Sequence, residues 1–220
     1  MKKLLVLVMG LTFLAACAGK PKYQGVFIPE ILVSNLQPGP SGEGALRWIK
    51  PGLDTKKYSK VMVDYVVFAL APDSDYKGID ADDMKRLADA ASKALVNAFQ
   101  AEYPIVSEPG PDVVRVKFGI TDFEPKRPLL SEFNSVTPMG STIIIAKKVG
   151  ANSWTGSGMT RGEVIFIDST TNEALAAAYG NYYPKAEERV NKWRSAEDAF
   201  AHWGGRIRMV WEGLKKEEIK

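Results

Sequence analysis

A short apolar run near the N-terminus divides this chain into two parts and limits what the remainder can fold into. The run covers Leu4–Leu14, follows Met1–Lys3 and is followed by two alanines. A positive start, an apolar centre and a small-residue end are typical of a secretory signal. A transmembrane helix needs ~20 apolar residues, so this run is too short to cross a bilayer. We therefore predict that residues 1–16 are a signal peptide and that the folded body lies in the 204 residues after it.

The only cysteine of the chain, Cys17, follows this segment directly. Together with Leu14, Ala15 and Ala16 it resembles the lipobox of bacterial lipoproteins. The resemblance implies cleavage before Cys17, a diacylglycerol thioether on its sulfur and acylation of the new amine. Two or more acyl chains hold a protein stably on a membrane, whereas one holds only marginally. The next residue is Ala18, not aspartate, which by the sorting rule of enteric bacteria implies the periplasmic face of the outer membrane, with inner-membrane anchoring as the alternative.

The composition excludes several classes of site. One cysteine and one histidine exclude an intrachain disulfide and a zinc centre built on several Cys or His ligands. We predict no metal and no cofactor. Loss of residues 1–16 lowers the formal net charge from +3 to +1, and the remaining charges are interspersed. Nucleic-acid binding requires basic residues clustered on one face, so no nucleic-acid partner is expected.

The mature chain is predicted to form a lipidated tether, residues 17–25, and one domain, residues 26–220. The first part of the domain, residues 26–57, is rich in glycine and proline and is predicted to be an irregular extension. Within it, Val26–Ile28 and Ile31–Val33 are too apolar for a free linker. We expect them to lie on the domain surface as extended chain interrupted by Pro29.

Apolar periodicity predicts the elements of the domain. Residues 60–71 carry apolar side chains on both faces, which favours a central strand, with Asp64 as an exception. Residues 80–102 have an apolar stripe at helical spacing, and residues 114–120 alternate as a half-buried strand. Residues 162–168 and 174–183 predict an antiparallel hairpin. A short helix is predicted over 141–150 and a long loop over 125–138.

A C-terminal helix is predicted from Ser195 onward, with a buried stripe that includes Trp203 and Trp211. Gly204 and Gly205 in its middle would allow it to approach the sheet closely. The fold class is therefore α+β: a mixed, mostly antiparallel sheet with two long helices packed on it. The predicted order is strand, helix, strand, strand, short helix, strand, strand, helix, with a crossover between residues 60 and 106.

Several turns and strand starts also resemble a known family. They are Tyr23–Gly25, Leu46–Gly52, Tyr58–Asp64, Pro109–Val116, Gly162–Val164, Asp168–Thr171, Ala176–Ala177 and the helix around Trp203. They resemble the bacterial lipoproteins of domain of unknown function 3313 over nearly the whole mature chain. The resemblance implies architecture and location, but no activity. One departure is Asn172, where a Gly is expected; Asn tolerates the same left-handed turn geometry.

Candidate catalytic groups are few. His202 is the only histidine, and Ser195 lies two helical turns away, so the two cannot hydrogen-bond directly. A helix-surface histidine is the favoured interpretation. Asp64 lies among apolar neighbours and requires a partner; we favour an Arg, a Lys or backbone donors over an acid/base or cation site. The glycine-rich stretch 156–162 lacks the ending of a phosphate loop and is interpreted as the entry to a hairpin. No catalytic residue is predicted.

An aromatic surface is the best candidate for binding a partner. Tyr182, Tyr183 and Trp193 lie at a strand end and in a loop, and Lys126 and Arg127 lie in the long loop. The favoured hypothesis is a lipid-anchored module without catalysis that binds an envelope protein or peptidoglycan. One alternative is an envelope hydrolase using carboxylates such as Asp64 and Asp122, ~5–9 Å apart. Another is a carrier with an apolar cavity of several hundred Å³.

Overall fold

The computed structural model describes residues 22–39, 45–72, 81–124, 159–182 and 194–217. These residues form one α+β domain, as predicted. The strands are β1 (Gln37–Pro38), β2 (Leu46–Ile49), β3 (Lys60–Val63), β4 (Val67–Phe68), β5 (Val113–Glu124), β6 (Met159–Asp168) and β7 (Ala174–Tyr182). The helices are α1 (Glu30–Val33), α2 (Ala81–Gln100) and α3 (Arg194–Glu217). None of the described helices is long and apolar enough to cross a membrane.

The seven strands form one mixed sheet in the order β1-β2-β7-β6-β5-β3, and β4 pairs with β5 further along that strand. β3 and β4 run parallel to β5, while the other neighbours are antiparallel. The parallel pairs require a crossover, which α2 supplies. In this strand order β6 lies in the interior of the sheet, between β5 and β7.

The two long helices pack on one face of the sheet, and their apolar stripes are buried as predicted. In α3 the stripe is Phe200, Trp203, Ile207, Trp211 and Leu214, and α2 contributes Leu87, Ala91, Leu95 and Phe99. Aromatic rings fill the centre of this core: the Trp211 ring stacks on Phe166 at 5.1 Å and meets Tyr58 edge-on at 5.7 Å.

The opposite face of the sheet is covered by the N-terminal segment, residues 23–36. Side chains alternate along a strand, so Ile165 and Ile167 point away from the helices. They join Ile28, Leu46, Ala177 and Tyr179 in a second apolar cluster, against which Phe27, Leu32 and Leu36 pack. The segment therefore forms a third layer of the domain.

Three local predictions were wrong in informative ways. The strand predicted over residues 60–71 lies at the edge of the sheet, and it is split into β3 and β4 where the Val66 N–H donates to Ser92 Oγ on α2. Residues 31–33 are helical and not extended. Residues 46–49, placed in an irregular extension, form β2 and pair with β7.

Gly204 serves a different contact from the one predicted. A Cβ added there would lie 2.9 Å from the carbonyl oxygen of Ala94, so the glycine allows α3 to approach α2 and not the sheet. At Gly205 nothing lies within 4 Å of an added Cβ.

The hairpin turn is as expected, since Asn172 adopts a φ of 59°. The predicted short helix at 141–150 and the loop at 125–138 lie outside the described residues.

Candidate functional site

The carboxylate of Glu163 holds the N-terminal segment on the sheet. Glu163 lies on β6 and is completely buried, with 0% exposure. Its Oε1 accepts the N–H of Val26 at 3.0 Å, and its Oε2 accepts the N–H groups of Phe27 at 3.0 Å and Ile28 at 2.9 Å. The Tyr23 hydroxyl also donates to Oε2. We call Glu163, Tyr23 and the backbone of Val26–Ile28 the Glu163 clasp.

The close approach of segment and carboxylate requires Gly25. A Cβ at this position would lie 2.0 Å from Oε1 of Glu163, which no ordinary side chain can accept. Gly119 plays a similar part on β5, where an added Cβ would lie 2.5 Å from the Phe27 ring. The Tyr23 ring packs edge-on against Tyr179 at 5.2 Å. Burial, followed by the hydrogen bond to Glu163, raises the pKa of Tyr23 well above its usual range.

The hydrogen-bond count indicates what the clasp can do chemically. A carboxylate offers about four acceptor positions on its two oxygens. Glu163 accepts four hydrogen bonds, all from this chain's own segment. Three of these bonds converge on Oε2 and one reaches Oε1, and all four come from residues 23–28. The geometry is therefore that of an internal binding site for a peptide segment.

A buried ion pair extends the clasp along β6. Arg161 lies two residues before Glu163 and forms an ion pair with Asp122 of β5 at 3.5 Å. Both side chains are buried. The Arg161 guanidinium also donates to the carbonyl oxygen of Gln24 at 3.3 Å. Buried charges need partners, and this pair meets that need while adding a second hold on the N-terminal segment.

A second buried carboxylate of β6, that of Asp168, lies at the end of this strand. Its Oδ2 accepts the Lys57 ammonium and the Tyr58 hydroxyl, each at 2.8 Å. Its Oδ1 accepts the N–H groups of Thr170 at 3.0 Å and Thr171 at 2.9 Å, which shapes the β6–β7 turn. Lys215 of α3 donates to the Tyr58 carbonyl oxygen at 2.9 Å. Asp168 thus joins the chain before β3 to the hairpin turn, and Tyr58 links that chain to the C-terminal helix.

The environment of Asp168 predicts how stability depends on pH. Burial opposes ionisation, but hydrogen bonds from Lys57, Tyr58 and the turn backbone outweigh it and hold the pKa of Asp168 well below its usual range. A lowered folded-state pKa means that the stabilisation is complete above the unfolded value of ~3.9 and is lost as the pH falls below it. We expect the melting temperature to drop between about pH 5 and pH 2.

The Asp168→Asn substitution tests this assignment. It should lower stability at pH 7 and reduce the further loss toward acid pH, because the titrating group is gone. Thermal melts across this pH range measure both effects. The exposed Asp54→Asn is the matched control and should keep the wild-type acid loss. If the melting temperature of the Asp168 variant falls toward acid pH as much as that of wild type, the assignment is wrong.

The carboxylate pair required by the hydrolase alternative does not form between Asp64 and Asp122. Asp64 makes a two-pronged pair with Arg115, at 2.7 and 2.9 Å, as the favoured interpretation of this residue predicted. Asp122 pairs with Arg161. Arg115, the partner of Asp64, and Asp122 itself lie seven residues apart on β5, about 23 Å at ~3.3 Å each. The two aspartates therefore occupy separate ends of the sheet.

The structure describes only part of the predicted partner surface. Tyr182, at the end of β7, is partly buried and stacks on His202 with ring centres 4.1 Å apart. His202 itself is exposed on α3, as predicted. Tyr183, Trp193, Lys126 and Arg127 lie outside the described residues, as do Leu14, Ala15, Ala16 and Cys17. Among the described residues, no group of three or more His, Cys, Asp or Glu side chains could hold a metal.

The central residue of the site, Glu163, was not singled out from the sequence. The sequence does contain a pattern that could have identified it. Residues 164–167 are all apolar, and a carboxylate stands at each end of this run, Glu163 before it and Asp168 after it. A carboxylate in an interior strand must find donors. The sequence does not show that those donors come from residues 23–28, about 140 positions away.

Comparisons with known proteins give several distant structural matches and one family. Three solved structures are similar to this chain: the PelC dodecamer from Paraburkholderia phytofirmans (12% identity, 73% of this chain and 94% of that chain, TM-score 0.41), a DUF4136 family protein from Bacteroides thetaiotaomicron (8%, 80% and 97%, 0.38) and a protein of family DUF330 from Xanthomonas campestris (10%, 77% and 94%, 0.41). No curated protein matches the chain. Residues 22–207 match the family described as "Protein of unknown function (DUF3313)", and the chain belongs to that family.

Proposed function

We propose that this protein is a lipid-anchored envelope lipoprotein whose domain is a non-catalytic binding or assembly module facing the periplasm. The observation that carries the proposal is the Glu163 clasp. It fixes the chain to the interior of the sheet only nine residues after Cys17. An anchor attached at Cys17 would therefore hold the folded domain through a short, internally bonded segment.

The strength of the clasp suits an anchoring role. Three consecutive N–H groups and one hydroxyl converge on one buried carboxylate. Hydrogen bonds to a charged group contribute roughly 1.5–3 kcal/mol each, more than neutral ones. The same segment buries Ile28 and packs Phe27 against the sheet. A force applied at the N-terminus would therefore act on the interior of the sheet, and not on a loosely attached terminal segment.

The charged groups near the clasp support a role without catalysis. Glu163, Asp168 and Asp64 each direct their oxygens to donors within the chain. Large rings fill the space between sheet and helices, which favours a solid core over the cavity that a carrier of an apolar ligand needs. The hydrolase and carrier alternatives are therefore less well supported than the binding module.

We propose that the partner is an envelope protein or peptidoglycan, with the aromatic and basic residues Tyr182, Tyr183, Trp193, Lys126 and Arg127 as its contact surface. Aromatic side chains and arginine are enriched in binding hot spots. The proposed location is the periplasmic face of the outer membrane.

The Cys17→Ser substitution tests the anchor. The wild-type protein should fractionate with membranes and carry the mass of a diacylglycerol and an acyl chain on Cys17. The variant should lose both and either appear in the soluble fraction or persist as an uncleaved precursor. A Ser34→Ala variant, which changes an exposed serine of the folded segment, is the control and should fractionate like wild type. Identical membrane association of wild type and of a Cys17 variant whose mass shows that residues 1–16 have been removed would overturn the anchor.

A further inference from the structure

We propose that the outer surface of residues 22–36 rests on the lipid bilayer that holds Cys17, with Val26 and Ile31 as its apolar contacts. This inference rests on the lipid anchor proposed above and adds an orientation of the domain. We call this surface the N-terminal layer surface. Its occupant is a lipid surface of the kind into which the acyl chains insert.

The length of chain between the anchor and the domain limits the orientation. Lys22 is five residues after Cys17, and five residues span at most ~18 Å when fully extended. By comparison, α2 with its 20 residues is about 30 Å long at ~1.5 Å per residue. The tether is therefore shorter than the domain, so the layer to which it is attached must stay close to the membrane.

The Glu163 clasp makes that closeness persistent. If residues 23–28 could peel away, the tether would lengthen by about 20 Å at ~3.3 Å per residue. The buried bonds to Val26, Phe27 and Ile28 prevent this. Ile28 and Phe27 face the sheet, and the side of the segment away from the sheet remains for contact with the bilayer.

The side chains on that outer side suit a bilayer interface. Ile31 is 79% exposed and Val26 is 48% exposed, although both belong to a segment whose other apolar residues pack on the sheet. Residues 18–36 contain Lys20, Lys22 and Glu30, a formal charge of +1. A small positive charge beside exposed apolar side chains favours anionic lipid headgroups.

Met209 provides a matched reference site in the same molecule. It is apolar and 53% exposed, but it lies on α3, separated from the N-terminal layer by the sheet. With layers ~10 Å apart, the two surfaces differ by about 20 Å in height above a membrane that touches residues 22–36. A probe that reports depth should distinguish them.

The experiment uses the full, lipidated protein reconstituted in vesicles of phosphatidylethanolamine and phosphatidylglycerol. Cys17 is the only natural cysteine, and its sulfur is blocked by the diacylglycerol thioether, so a cysteine introduced by Ile31→Cys or Met209→Cys is the only reactive thiol. Each variant is labelled with an environment-sensitive fluorophore. Quenching by lipids that carry a nitroxide on the acyl chain reports contact with the bilayer. Thermal melts confirm that each labelled variant is folded.

We expect blue-shifted emission and several-fold stronger quenching for the label at position 31 than at 209, and the same for Val26→Cys. Equal, water-like signals at 26, 31 and 209 in a protein whose mass shows the lipid would overturn the membrane orientation and leave the anchor intact. A mass without lipid would overturn the anchor, and the orientation with it. The two failures are therefore distinguishable.

Discussion

Replacing Glu163 with alanine should destabilise the domain by ~3–5 kcal/mol, because it removes one side of a buried charged hydrogen-bond network. Three backbone N–H groups and the Tyr23 hydroxyl would lose the carboxylate as acceptor, and only the Ile28 N–H would keep a second one, the Tyr23 hydroxyl at 3.2 Å. Release of the segment from the sheet would let water replace the carboxylate, but it would also expose Ile165, Ile167 and Ala177. Urea unfolding measures the loss of free energy, and limited proteolysis should show new cleavage within residues 22–36.

Two further variants make this prediction specific. Glu163→Gln keeps the shape and one acceptor oxygen, but its NH2 group would face N–H donors. It should cost less than alanine, about 1–3 kcal/mol. Glu30→Gln changes an exposed carboxylate of the same segment and should stay within ~0.5 kcal/mol of wild type. If the Glu163→Ala variant unfolds at the same urea concentration as wild type and shows no new cleavage, the clasp does not hold the segment.

The Trp211→Ala substitution should have an effect of comparable size, ~3–5 kcal/mol, as large-to-small changes of buried aromatic residues do. Trp211 is fully buried and lies between the rings of Phe166 and Tyr58. Its loss would open a cavity beneath β6, the strand that carries Glu163 and Asp168. Thermal or urea unfolding of the variant provides the measurement.

The indole nitrogen of Trp211 offers a finer test. Within the described part of the chain, Nε1 has no hydrogen-bond partner. Trp211→Phe removes that unpaired group together with some volume, so it should cost clearly less than alanine. Met209→Ala, two residues away on the exposed side of α3, is the control and should change stability by less than ~0.5 kcal/mol. Equal losses for Trp211→Ala and Met209→Ala would contradict the assigned core.

The sequence predicted those parts of the fold in which one strong local pattern determines one element. The stripe from Leu87 to Phe99 made α2 recognisable, and the alternation from Val114 to Ile120 made β5 recognisable. The hairpin followed from two apolar runs around a polar turn, and Asn172 adopts the left-handed conformation expected of it. Such signals arise from residues close together in the chain.

The remainder depends on long-range partners that no local pattern identifies. Asp64 appeared only as an exception within a strand, yet it pairs with Arg115 close to the point at which that strand divides in two. Gly204 indicated a close approach but not that the neighbour is α2. Glu163 was overlooked because its acceptor capacity is satisfied by a segment about 140 residues earlier, and sequence order does not reveal that proximity.

The position of β6 has a consequence for the order in which contacts can form. Its carboxylates bind partners that precede it by 135–140 residues at Glu163 and by about 110 residues at Asp168. A chain that emerges with its N-terminus first therefore delivers both partner segments long before their acceptor strand exists. The hydrogen bonds of residues 23–28 cannot form until β6 has been made. Contacts of such long sequence separation also slow folding. The first folded residues to be made are thus among the last to reach their final place.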